Sequence, residues 1–333
     1  MRRITIKDIA KLVGVNPSTV SRALKDHPDI STSMKAKIQQ VAEELGYFPN
    51  IQAINFRNRQ SKLMAFILPE IGRFFMPDMV RAMEEMASKK GYSFIVFQSN
   101  DFLRREKECI RLCQSFGVDG LMVSLSQETA TLDHFNAFAR QSVPVVFVDK
   151  VLKDDRYSRV CINDYTTAFT AVQHLAKRNY KKIAGLFASD SLSFTQQRKK
   201  GYLAALQEYG LLQEDRFCLH FTAVQEMREA ITGLLKLPNP PDAIFSISDE
   251  ILSVLMQIVY ELNLRVPEDI AIISISNGFL PYYCNPKITH IKHSGYQVGK
   301  DAANLLLDLM EAASVISPQL IEIETFLVEL DSC

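Results

Sequence analysis

No stretch of the 333 residues approaches the ~18 uninterrupted apolar positions that a membrane span needs, which excludes a membrane-spanning helix. The first residues, Met1-Arg2-Arg3-Ile4-Thr5-Ile6-Lys7-Asp8, have a basic start with no apolar run behind it, which argues against a secretory signal. Six cysteines (109, 113, 161, 218, 284 and 333) are scattered without a CxxC spacing, so they predict reduced, mostly buried thiols in a cytoplasmic protein. Cys109 and Cys113 stand one helical turn apart, but no histidine or third cysteine is near them in sequence, and no metal site is expected. The thirteen glycines do not make even one GxG pair, so no dinucleotide or phosphate loop is present. HExxH and GxSxG are also missing, and the six histidines (27, 134, 174, 220, 290, 293) are dispersed. These absences predict no cofactor and no enzyme.

What is present is ordinary globular material. Hydrophobic residues make up 47% and charged residues 23%, enough for sizeable cores in two or three domains. The net charge of zero hides an asymmetry. Residues 1–61 hold ten Lys/Arg and five Asp/Glu, a balance of +5, which leaves −5 on the remainder. A basic head on an acidic body suits a head that meets an anion, most simply nucleic acid, although short segments also drift by a few charges by chance.

The head reads as three short helices. Ile6, Ile9, Leu12 and Val13 have helical spacing, Thr5 with Asp8 makes a capping-box-like start, and Gly14 supplies the residue that tolerates positive φ at the helix end. Asn16 is an N-cap and Pro17 a first-turn residue for a second helix to about Leu24. After the break at His27-Pro28-Asp29, a third helix starts at Ser31 or Ser33 and runs to Glu44, with Ile38, Val41, Ala42 and Leu45 on its inner face. Two short helices about a tight turn match a helix-turn-helix, whose second helix enters the major groove. Ser18, Thr19, Ser21 and Arg22 are on its exposed face. A small helical bundle used for dimerisation fits the same pattern. Residues 47–61 are basic, Asn-rich and without an acid, a linker that could become helical from Asn50.

From residue 63 the pattern changes to apolar runs at 63–68, 93–97, 120–123, 145–148, 183–187, 243–247 and 270–275, separated by amphipathic segments at 78–90, 106–116, 165–177, 196–209 and 250–263. Strand–helix alternation predicts doubly wound parallel sheets, and the number of strands predicts two lobes with a crossing near 160–163. Ligands in such folds sit at the carboxyl ends of the strands. Asp249-Glu250 could contact a ligand there or simply cap a helix. Phe74-Phe75-Met76-Pro77 could stack on a ligand or pack at a subunit face.

These residues resemble the LacI–GalR family of bacterial transcriptional regulators. The resemblance is carried by Thr5-Ile6-Lys7-Asp8-Ile9-Ala10, by 14–24 (Gly-Val-Asn-Pro-Ser-Thr-Val-Ser-Arg-Ala-Leu) and by Glu43-Glu44-Leu45-Gly46-Tyr47-Phe48-Pro49-Asn50 in the head. In the body it rests on Gly91-Tyr92, Gly117-Val118-Asp119-Gly120-Leu121, 145–149, Arg198-Lys199-Lys200-Gly201-Tyr202 and 266–272. It implies an α/β chain with a small all-α helix-turn-helix head at 1–48, a hinge helix or linker at 49–61 and a two-lobed, periplasmic-binding-protein-like body at 62–333. The lobes would be about 62–161 with 292–323, and 162–291 with 324–333, each built on a doubly wound parallel sheet.

The resemblance further implies a repressor that binds palindromic double-stranded operator DNA as a homodimer and responds to a small-molecule effector, a sugar or sugar derivative, without a membrane partner. Its DNA-reading positions fall on Pro17, Ser18 and Arg22, with phosphate contacts at Thr5, Asn16, Thr19, Ser21 and Asn50. Its hinge pattern falls on Pro49, Asn50 and Ala53, with Phe56 where a minor-groove leucine is usual. Effector positions fall on Phe74, Phe75, Ser124, Asp149, Arg198, Ser248, Asp249 and Ser276. Ser276 replaces the family's aspartate and so removes a strong acceptor for sugar hydroxyls. Arg198 and Asp149 are expected to face one ligand from opposite lobes, or else Arg198 pairs with Asp149 or Asp249 as an interlobe bridge. The dimer surface is expected at 74–79 and the helix behind it. A solute-binding protein would explain 62–333 equally well but not the head, and an enzyme on this scaffold would lack a nucleophile and base.

Overall fold

Contacts divide the chain into two compact units, Met1–Ser61 and Lys62–Cys333. The structure is a computed structural model and describes residues 4–48, 60–72, 75–190, 192–211, 213–221, 223–312 and 316–333.

In the head, the Asp8 carboxylate accepts from the Thr5 backbone N–H at 2.8 Å and its hydroxyl at 2.7 Å, which fixes the start of helix α1 (Ile6–Val13). Gly14, at φ 78°, ends it in the left-handed region where a side chain is disfavoured. Helix α2 is Pro17–Leu24, and α3, Thr32–Glu44, begins where the Ser31 hydroxyl accepts from Met34 N. Ile9, Ala10, Val13, Val20, Ala23, Ile38 and Ala42 close a small core.

The second unit holds two six-stranded sheets. The first contains β1 (Leu63–Leu68), β2 (Ser93–Gln98), β3 (Gly120–Val123), β4 (Val145–Val148), β5 (Ser158–Ile162) and β11 (Leu320–Ile323), in the order β11-β5-β4-β3-β1-β2 and parallel throughout. The second contains β6 (Ile183–Phe187), β7 (Cys218–His220), β8 (Ala243–Ser246), β9 (Ala271–Ser276), β10 (Thr289–Lys292) and β12 (Phe326–Val328), in the order β12-β10-β9-β8-β6-β7, with β12 antiparallel to β10. The helices are α4 (Met76–Lys89), α5 (Leu103–Phe116), α6 (Asn136–Arg140), α7 (Asp164–Lys177), α8 (Ser193–Glu208), α9 (Val224–Leu235), α10 (Asp249–Glu261) and α11 (Gly295–Glu311). Among the described residues, none is long and apolar enough to cross a membrane. The first sheet has a separate apolar core on each face, and a third core fills the second lobe.

The chain passes between the sheets three times: from β5 into α7, from β10 into α11 and from β11 into β12. Short, partly polar elements escape the sequence pattern, namely β5, β7, β10 and β11. So does α11, which carries Gly295 and Gly299 inside a helix where glycine is intrinsically poor. Tertiary packing accounts for both: a Cβ at Gly299 would meet the Met79 backbone, and one at Gly295 the Phe75 carbonyl, so bare glycines let α4 and α11 touch along their backbones.

That packing uses one face of α4. Met76 and Met79 are buried, along with Met83, in the core beneath α11, and Phe75 is half-buried. Met76 and Met79 are therefore spent inside their own lobe, while Pro77, Arg81 and Glu84 stay exposed on the other face; Phe74 lies outside the described residues.

Candidate functional site

On α2 the apolar Val20 and Ala23 face the core, which leaves Pro17, Ser18 and Arg22 exposed on the opposite side and Thr19 and Ser21 half-buried beside them. Asn16 is exposed at the N-cap, and Thr5 is exposed at the start of α1. The Arg22 guanidinium stands 3.9 Å from the Asp29 carboxylate with both side chains about 60% exposed, a pairing that costs little to release. Lys7 and Lys11 are also exposed. The arrangement is a hydrogen-bonding, cationic helix face of the kind that reads base edges. Asn50, Ala53 and Phe56 lie outside the described residues.

The body places its chemistry at the carboxyl ends of the strands. A cavity of about 90 Å³ is lined from the first lobe by Phe75, Asp149 and Lys150, and from the second by Phe194, Arg198 and Asp249. Ser248, Ile247 and Ile275 contribute from the ends of β8 and β9, and His293 from the crossing after β10. Asp149 takes φ 61° directly after β4, a left-handed conformation that aspartate tolerates better than most residues. Phe75 and Asp149 thus meet Arg198, Ser248 and Asp249 in one place.

Arg198 is buried and fixed. Its Nε donates to the Asp164 carboxylate at 2.8 Å, one Nη donates to the Ile247 carbonyl at 2.5 Å, and the guanidinium stacks 5.0 Å from the Phe194 ring centre. Neither Asp149 nor Asp249 is its partner: the ion pair is with the first residue of α7, inside the same lobe. Burial pushes the Asp164 carboxyl up, against the downward pull of Arg198. Guanidinium has five donors, so the pairing leaves others for a ligand.

Ser124 and Ser276, expected in the cleft, do not line this cavity. Both are fully buried. The Ser276 hydroxyl donates to Asp249 at 2.5 Å and the Ser124 hydroxyl to Asp149 at 3.4 Å, so each holds a carboxylate instead of facing a ligand. Burial pushes Asp249 up to about 6, although the Ser276 hydroxyl and the Asn277 N–H, at 3.2 Å, pull it down. The Ser248 hydroxyl accepts from Ile251 N and caps α10.

Lys150, Phe194 and His293 were not legible as cleft residues. Lys150 pairs with Asp101 at 2.8 Å. His293 packs on Phe75 with ring centres 4.7 Å apart, and burial, aided by Arg198, lowers its pKa to about 3 and keeps it neutral. Position next to β4, α8 and β10 is the available signal, and β10, four residues with a threonine, a histidine and a lysine, is too short and polar for the sequence pattern to mark as a strand. Burial pushes the Cys113 and Cys161 thiols up to about 12 and raises the other four as well. Among the described residues no group of three or more His, Cys, Asp or Glu could hold a metal ion.

Comparison with known proteins agrees with both halves. Residues 5–50 match bacterial regulatory proteins of the lacI family, and residues 172–333 match the periplasmic binding protein-like domain. The chain is 28% identical over 312 residues to the HTH-type transcriptional repressor CytR of Escherichia coli (strain K12), spanning 93% of this chain and 91% of that protein. It is 29% identical over 318 residues to catabolite control protein A of Priestia megaterium, spanning 94% and 95%. The fold superposes on the transcriptional regulator CelR in its cellobiose complex with a TM-score of 0.72 at 22% identity, covering 99% of this chain and all of that one. With a helix-turn-helix head, a two-sheet body and relatives that are regulators over nearly their whole length, this chain belongs to the LacI family of bacterial transcriptional regulators.

Proposed function

We propose that the protein is a cytoplasmic homodimeric repressor whose grip on a palindromic operator changes when a small polar effector, a sugar or sugar derivative, enters the cleft of residues 62–333. The observation that carries this reading is the buried Arg198, held by Asp164 and Ile247 with donors to spare, across one cavity from Asp149 of the other lobe. A ligand touching both lobes favours one degree of closure over another. The resulting coupling is typically ~1–3 kcal/mol and reciprocal between DNA and effector. The cellobiose bound by a protein of the same fold supports a sugar. Solute transport leaves the head without a role.

In this reading Arg22 contacts a base edge, with guanine the best match to its paired donors, and Ser18 assists where Pro17 cannot. Thr5, Asn16, Thr19, Ser21 and Asn50 hold phosphates, while Ala53 and Phe56 belong to the hinge, Phe56 as its apolar wedge. Arg22→Ala is expected to relax selection at one position of each half-site, a discrimination of ~1–3 kcal/mol. Lys7→Ala or Lys11→Ala is expected to weaken binding to all sequences and flatten the salt dependence. Selection from randomised duplexes, repeated at several salt concentrations, measures both; an unchanged consensus with Arg22→Ala removes α2 as the reading helix.

Two heads are needed for a palindrome, so the full chain is expected to sediment as a dimer at micromolar concentration. A monomer both with and without operator DNA would overturn that assembly.

A further inference from the structure

The cavity around Arg198 has a larger neighbour. A second cavity, of about 510 Å³, shares Asp149 and Phe194 with it and continues toward the crossing between β5 and α7. The inner cavity is less than a fifth of its size. Their linings differ in a way that bears on what fits.

The inner cavity presents ring and aliphatic faces: Phe75, Phe194, His293, Ile247 and Ile275. Three of its charged side chains are engaged with the protein itself, and Glu250 is exposed at its edge. Lys150 is held by Asp101, Arg198 by Asp164, and Asp249 by Ser276 and Asn277. A sugar ring needs a donor or acceptor for each hydroxyl it buries, because every unpaired one carries a desolvation cost. A compact flat ring needs mainly faces to lie against and one polar edge, and the remaining donors of Arg198 supply that edge.

The outer cavity is polar and of mixed sign. Lys153, Arg159, Asn163, Gln197 and Glu322 line it, and Arg159 Nε is buried there without a hydrogen-bond partner among the described residues. Interspersed cations, amides and carboxylates suit a neutral group whose hydroxyls both donate and accept. They do not suit a phosphate, which would face Asp149 and Glu322. Both cavities also span the lobes: Ser193 at the start of α8 donates to the Val151 carbonyl of the other lobe at 3.3 Å beside the outer one.

We infer that the effector is a two-part molecule, a compact planar ring in the inner cavity joined to a neutral, hydroxyl-rich unit in the outer one, as in an aryl glycoside or a nucleoside. This rests on the cleft being the effector site, as proposed above. Joining the parts makes the second contact intramolecular, so the linked compound binds far more tightly than either fragment without any new contact.

Calorimetry on the full chain with phenyl β-D-glucoside, phenol and glucose, and in parallel with uridine, uracil and ribose, tests it and separates the two sources of a ring joined to a sugar. One linked compound is expected to bind at least tenfold more tightly than both of its fragments. Lys153→Ala is expected to weaken that compound several-fold and its free ring less, and Phe194→Leu to weaken both. The inference is overturned if neither linked compound binds, if a free sugar matches its glycoside or nucleoside, or if Lys153→Ala weakens ring and linked compound equally. Operator selection by the same preparation reports on the regulator reading separately. A protein that selects an operator yet binds no linked compound keeps that reading and loses only the two-part effector.

Discussion

Replacing Arg198 with methionine is expected to lower the free energy of unfolding by roughly 3–5 kcal/mol and to abolish effector binding. The two losses have different origins. Removing the guanidinium leaves the Asp164 carboxylate largely buried without its counter-ion, and leaves the Ile247 carbonyl without its donor. It also removes the spare donors that face the cavity. The double variant Arg198→Met with Asp164→Leu separates them, because replacing both partners of a buried pair by apolar groups is often neutral or better. The double variant is expected to regain most of the stability in urea titrations and none of the effector affinity in calorimetry. Effector bound by either variant as tightly as by the wild type takes Arg198 out of the site and leaves it a structural ion pair.

Gly201→Ala and Gly233→Ala, the same change in two helices, are expected to act in opposite directions. A Cβ at Gly201 would clash with the Tyr165 carbonyl and press on Phe169 N, both backbone atoms of α7, so the helices must separate. Overpacking of this kind costs roughly 1–3 kcal/mol. A Cβ at Gly233 in α9 meets nothing within contact distance, and alanine there is expected to add ~0.5–1 kcal/mol from the lower entropy of the unfolded chain. Urea midpoints of the two variants measure the contrast. A neutral Gly201→Ala would mean that the α7–α8 contact yields easily, and the position of Arg198 one turn earlier on α8 would then not be held by it.

The close approach at Gly201 explains a feature of the sequence that has no local cause. Arg198-Lys199-Lys200-Gly201-Tyr202 carries the family resemblance, and a glycine inside a helix costs stability unless something approaches closely. The approach of α7 is that reason, and it aligns Arg198 with Asp164.

Local chemistry was sufficient for the head. The Thr5–Asp8 cap, the left-handed Gly14, the Asn16-Pro17 start and the Ser31 cap act over three or four residues, so their outcome could be read directly, to within a residue, in α1, α2 and α3. The seven long apolar runs were equally legible, because a parallel strand covered on both faces has to be continuously apolar. The resemblance to regulators and the arginine at 198 were likewise present in the sequence alone.

Contacts between residues far apart in sequence decided the rest. Whether Arg198 pairs with Asp149, Asp249 or Asp164 depends on where α7 lies against α8. Whether Ser276 meets a ligand or Asp249 depends on how β9 ends beside α10. Lys150 and His293 enter the cleft because β4 and a short β10 both end there, and neither strand carries a mark of what stands opposite. The amphipathic α4 could face a partner molecule or α11 by pattern alone. Two glycines on α11, 220 residues away from it, decide what covers its apolar face by letting the backbones close, and leave its exposed face open. Periodicity reports which face of an element is apolar, and burial energy is indifferent to which apolar surface covers it; the partner is selected by shape and by chain crossings, and those exist only once the whole chain has folded.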